Sequence, residues 1–137
     1  MHGASAAFAE TLNDQSAQGG GDTPEAMDAA LSTGLEMDWR DDAIKVNLLV
    51  ADAPPHDDDI SATWESALLS RTGGIHIVPL AASGGDDTAE FLMRAMGQIT
   101  GGRYIFLTDD SGVGNPHAEP TVDCYVVTRL DSLVERV

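Results

Sequence analysis

Apolar residues run almost without interruption from Ile44 to Ala51, and again from Ile75 to Leu80. Continuous runs of this length mark strands covered on both faces, as in parallel sheets. Asp52 follows the first run directly, and Pro54 and Pro55 forbid its continuation. A third strand is expected from Arg103 to Leu107 and a short fourth from Val122 to Val127. Between the strands the apolar period becomes helical. Met27, Ala30, Leu31 and Leu35 share one face of a segment that Asp22 or Thr23 caps, with Pro24 in its first turn and Glu25 placed for a capping box. Ser61 heads a helix carrying Trp64, Leu68 and Leu69, which Gly73 and Gly74 stop. Asp86 to Gln98 form another, with Phe91, Leu92, Met96 and Ile99 on its apolar side and Gly101 and Gly102 after it. An Ala-rich stretch from Ser5 to Gln18 gives a short helix with a thin stripe of Phe8 and Leu12. Trp39 anchors the connection before the first strand, and Leu130, Leu133 and Val134 lie on a terminal helix.

Strands alternating with helices imply a parallel sheet with right-handed crossovers. The expected fold is α/β: an open, mostly parallel, doubly wound (Rossmann-like) sheet with helices on both faces. Residues 1–18 read as an amino-terminal helix or loose segment, and residues 19–137 as the α/β domain. No internal repeat interrupts this order.

The composition narrows the function. The chain has 137 residues, 42% of them hydrophobic but only 5% aromatic, so aliphatic side chains and Ala fill the core. Seven Lys and Arg stand against 23 Asp and Glu, a net charge of −16. Such a surface repels nucleic acid and anionic membranes, and attracts divalent cations or basic proteins. No apolar run approaches the roughly 20 residues that span a bilayer. The first residues lack the basic start and long apolar core of a signal peptide. The single cysteine, Cys124, excludes an intrachain disulfide and is expected as a buried or half-buried strand thiol among Val122, Tyr125 and Val126.

Asp52 is the leading candidate for chemistry, because open α/β sheets bind ligands at the carboxyl ends of their strands. The run from Gly19 to Glu25 supplies a second acidic loop through Asp22 and Thr23. His56 with Asp57, Asp58 and Asp59 reads as a solvated acidic loop, and a secondary candidate for a cation. Asp109 and Asp110, near Ser111, Asn115 and His117, form another oxygen-rich cluster that is either a metal site or a capped turn. His76, between Ile75 and Ile77 in a strand, reads as structural. Asp52 as the phosphoacceptor of a signalling domain, or as ligand or nucleophile of a small metal-dependent hydrolase, is the alternative. A phosphoacceptor site also wants a Lys after a later strand, whereas the only Lys here is Lys45. No Gly-x-Ser-x-Gly elbow surrounds Ser83, and no Gly-x-Gly-x-x-Gly or phosphate-loop motif occurs.

The order and spacing of several short pieces resemble the carboxyl-terminal half of a von Willebrand factor A-like (VWA) domain of the bacterial type. The pieces are Gly19 to Ala26, Trp39 and Arg40, Lys45 to His56, Gly74 to Ile77, Ala81 to Ser83, Thr100 to Tyr104 and Leu107 to His117. The resemblance spans residues 19–137. It implies a metal-ion-dependent adhesion site at the upper sheet edge, with Mg²⁺, or Mn²⁺ or Ca²⁺, held by three loops. Asp22 or Thr23 would fill the role of the second loop and Asp52 that of the third. The Asp-x-Ser-x-Ser motif of the first loop has no counterpart; Asp14, Ser16 and Gln18 are the nearest approach, in the wrong context. The site is therefore expected to be incomplete. In the family the metal takes an acidic group from a protein partner, so the resemblance implies adhesion or interaction rather than catalysis. It allows cell-surface, periplasmic or cytoplasmic settings. It also implies that the Ile44–Ala51 strand lacks a neighbour, and so pairs with a second copy of the chain or with a separate amino-terminal half.

Overall fold

A computed structural model describes residues 2–16, 21–82, 86–108 and 124–136. The elements run α1 (His2–Asn13), α2 (Met27–Leu35), β1 (Lys45–Ala51), a 3₁₀ turn (Asp57–Asp59), α3 (Ile60–Thr72), β2 (Ile75–Ala81), α4 (Asp87–Thr100), β3 (Ile105–Phe106) and α5 (Leu130–Val134). Among the described residues the strands form one parallel sheet in the order β1-β2-β3. The α/β class and the parallel sheet are as the sequence pattern implies. Lys45 pairs with Ile75 and Ala51 with Ala81, so β1 and β2 run in register over their full lengths. Short β3 meets β2 at its upper end, where Leu80 pairs with Ile105 and Ala81 with Phe106.

Two right-handed crossovers stepping the same way across a sheet put their helices on the same face. The main core reflects this. Met27 and Leu31 of α2, Ala67 of α3, and Leu92, Met93 and Met96 of α4 pack on Leu49, Ile77 and Ala81 of the sheet. A second cluster joins Val78, Leu80 and Ile105, with Leu107 against it, and none of its members lies on a helix. Helices on both faces were expected; α2, α3 and α4 all contribute to the first cluster and none to the second.

Helix α3 buries Thr63, Ala67 and Ser70, whereas Leu68 and Leu69 are exposed, against the sequence expectation. Packed against α2, α4 and β2 together, its inner face takes small side chains that admit close approach. The buried hydroxyls are satisfied locally: Thr63 donates to the Asp59 carbonyl at 2.9 Å and Ser70 to that of Ser66 at 2.8 Å. In α4 the inner face is Ala89, Leu92, Met93, Met96, Gly97 and Thr100, and Phe91 is exposed instead of packed. Asp86 caps this helix by accepting a hydrogen bond from the Ala89 N–H at 2.8 Å.

The lower end of α4 is tied to the sheet. The Thr100 hydroxyl donates to the Met96 carbonyl at 2.8 Å and accepts from the Ile77 N–H at 3.0 Å. Gly101 then takes the left-handed conformation (φ 73°) that ends helices, and a Cβ on Gly102 would strike the Ile77 carbonyl. Trp39 anchors the approach to β1 by donating from Nε1 to the Gly34 carbonyl at 2.8 Å.

The periphery departs further from expectation. Side chains from Ala6 to Asn13 of α1 are all exposed, so Phe8 and Leu12 make no core stripe. Residues 124–127, the described part of the expected fourth strand, form neither strand nor helix, and Cys124 is exposed rather than buried. This segment still meets the domain, for the Tyr125 ring packs edge-on to Phe106 with centroids 5.2 Å apart. Val122, Ser83, Asp109, Asp110, Ser111, Asn115 and His117 lie outside the described residues.

Candidate functional site at the carboxyl end of β1

The prolines after Asp52 end β1 and turn its backbone toward the segment preceding α2. Ala53 and Pro55 are buried there, while Asp52 and His56 are exposed. The Glu25 N–H donates to the Pro54 carbonyl at 2.9 Å, and Glu25 and Pro55 form an isolated parallel bridge. Two loops distant in sequence thus become neighbours at the carboxyl edge of the sheet. One carries Asp22, Thr23 and Glu25, and the other Asp52 and His56.

The same bridge explains why the expected helix cap is absent. Residues 21–26 run beside the Asp52 loop instead of opening α2, whose first residue is Met27. Ala26 stands at its N-cap with no side-chain hydrogen bond, so neither Asp22 nor Thr23 caps it and Glu25 is not part of a capping box. Glu25 faces Asp52 instead. Its carboxyl is raised above its ordinary value of 4.5, first by partial burial, then by a hydrogen bond to Asp52 and by the Asp52 charge. Asp22 pairs with the other end of the second loop, its Oδ2 lying 3.4 Å from His56 Nε2, with both side chains well exposed. Thr23 is exposed on the same loop.

The structure therefore brings together the two loops that carry Asp22, Thr23, Asp52 and His56. It adds Glu25, which sequence reasoning assigned to helix capping; the signal for it was a carboxylate in the same glycine-led acidic run. Asp57 and Asp58 are exposed in the turn that opens α3, where carboxylates favour the positive end of the helix dipole. His76 lies apart from this edge, half-buried in β2. Among the described residues the other perturbed group is the Tyr104 phenol, pushed up to about 12, first by burial and next by the Glu90 charge, and so it stays neutral.

Among the described residues no three His, Cys, Asp or Glu side chains are placed to hold a metal ion together. Mg²⁺ commonly uses one or two carboxylates and keeps several waters. Glu25 and Asp52 are adjacent and joined by a side-chain hydrogen bond, which puts two oxygen-bearing side chains together at this edge. No described helix is long and apolar enough to cross a membrane. No family model matches the sequence, and no curated protein matches it.

Proposed function

We propose that this protein is a binding module resembling a VWA domain, and not a catalyst, with its recognition site at the carboxyl end of β1. The observation that carries this reading is the junction of Glu25 with Pro54 and Pro55, a backbone hydrogen bond and a parallel bridge, which joins both acidic loops at the sheet edge where open α/β folds receive ligands. Asp52 and Glu25 would hold Mg²⁺ or Mn²⁺, with Asp22 and Thr23 close by on the neighbouring loop. A cation seated on few carboxylates keeps net positive charge, and the chemistry it supplies is attraction of an acidic group from a protein partner. Asp52 anchors the cation, and Asp22, paired with His56, ties the glycine loop to the site. The outer edge of β1 is the second part of this reading: another chain docks along it.

Calorimetric titration with Mg²⁺ and Mn²⁺ tests the first part. Asp52→Ala is expected to abolish cation binding while leaving the circular dichroism spectrum and thermal transition intact, since Asp52 is exposed and outside the core. Unchanged cation affinity in a folded Asp52→Ala variant would overturn the assignment.

A further inference from the structure

The outer side of β1 is an open hydrogen-bonding edge with an apolar margin. Lys45–Ala51 pair with β2 on one side, and no other described strand lies along the second side. The Ala51 carbonyl accepts from the Ala82 N–H at 2.8 Å, so it points toward β2. Strand residues alternate in direction. Lys45, Asn47 and Leu49 therefore direct their backbone groups inward with Ala51, while Val46, Leu48 and Val50 direct theirs outward. The same three residues carry the exposed side chains. Val46, Leu48 and Val50 are 36%, 46% and 59% exposed, and Ile44 just before them is 83% exposed. From Val46 to Ala51 the strand has no proline, bulge or charge of the kind that usually guards an edge.

The ends of the strand define what suits this edge. Asp52, Asp57 and Asp58 are exposed beyond its carboxyl end, and Asp22 and Glu25 stand on the adjoining loop. Asp41 and Asp42 are exposed before its amino end, where Arg40 and Lys45 offset them. A second copy of this chain is a poor fit. Two β1 strands paired about Leu48 on a two-fold axis set Asp52 opposite Ile44 of the other copy, two residues from its Asp42. Each copy also brings a net charge of −16. That net charge opposes such a pair, and Lys45, which falls opposite Ala51 beside Asp52, offsets only part of it.

We infer that β1 takes up an extended segment of another protein as an added strand. That segment has alternating apolar side chains to lie on Val46, Leu48 and Val50, and Lys or Arg at the end beside Asp57 and Asp58. Backbone hydrogen bonds to the three outward residues supply affinity, and the acidic end selects the sequence and its direction. This inference rests on the β1 edge as a docking surface and is independent of any cation.

The test uses the full chain in EDTA with fluorescein-labelled peptides of alternating valine and threonine. Some carry three lysines at one terminus or the other, and others carry three glutamates instead. The lysine peptides are expected to bind at least about tenfold more tightly than the glutamate ones, and to weaken as salt is added. Binding slows hydrogen exchange at the amides of Val46, Leu48 and Val50. A triple variant, Val46→Thr, Leu48→Thr and Val50→Thr, keeps strand propensity and is expected to lose binding with an unchanged circular dichroism spectrum. Should it unfold, the exchange data on the wild-type chain decide alone. Equal affinity for lysine and glutamate peptides, protection elsewhere than β1, or no binding by the folded protein would overturn the inference. So would sedimentation showing a dimer that the triple variant dissociates. Because EDTA is present throughout, failure here is separate from failure of the Asp52 cation assignment.

Discussion

Glu25 and Pro54 share a backbone hydrogen bond of 2.9 Å across the top of the sheet, and that one contact decides what the acidic loops become. Without it, Glu25 would be free to fold back on the first turn of α2. With it, the Glu25 carboxyl is turned to Asp52 and the loop ahead of α2 lies beside the loop that follows β1.

Glu25 links this edge to pH. Its carboxyl is raised in the folded chain, chiefly by partial burial and then by Asp52, so the folded state holds the proton more firmly than the unfolded chain does. The stability it contributes is fully present below its ordinary value of 4.5 and is lost as pH rises through the raised value. Glu25→Gln removes this dependence. At neutral pH the variant is expected to be more stable than wild type by a small margin, under about 1 kcal/mol for groups this exposed. Urea unfolding of both proteins at a series of pH values between mildly acidic and neutral checks the sign.

Thr100 makes a sharper demand. Its hydroxyl is buried and is the partner of the Ile77 N–H on β2. Thr100→Val keeps the shape but strands that N–H, and is expected to destabilise the domain by about 1–3 kcal/mol. Thr100→Ser retains the hydroxyl and should recover most of the loss. Thermal unfolding of the pair, compared with wild type, distinguishes a hydrogen bond from simple packing; equal losses in both would exclude the hydrogen-bond explanation.

Helix α4 carries two large apolar residues with opposite roles. Met96 is fully buried against the sheet and Phe91 is 75% exposed. Met96→Ala is expected to cost about 2–5 kcal/mol, from lost burial and the cavity left behind. Phe91→Ala should stay within about 0.5 kcal/mol of wild type. Chemical denaturation midpoints measure both, and a large loss at Phe91 would mean that this face is covered in solution.

The sequence made the two long strands legible because their apolar runs are continuous and bounded by proline or glycine. The observed β1 and β2 differ from the expected spans by one residue each. Faces of helices were harder to read. Hydrophobicity put Leu68, Leu69 and Phe91 inside, but crowding over one side of the sheet selects Thr63, Ala67 and Ser70, whose small size sequence periodicity ranks low. The apolar letters around Cys124 suggested a strand, yet strand formation needs a neighbour offering an edge, and residues 124–129 take neither strand nor helix conformation. At the carboxyl end of β1, the place of Asp52 just past the strand was legible from the apolar run and the prolines after it, whereas Asp22 and Thr23, expected to cap α2, lie instead in the loop beside it. The role of Glu25 was not legible, because a capping box and a cross-loop bridge share the same local sequence and differ only in a long-range backbone contact.

The open side of β1 also bears on how concentrated solutions of this protein behave. At neutral pH, mutual repulsion holds molecules apart before their strand edges can meet. Near the isoelectric point of about 4.1 that barrier collapses while the outward groups of Val46, Leu48 and Val50 stay in place. Acidification then turns the open β1 edge into a template for intermolecular sheet growth, and places the conditions for storing the protein well above that point.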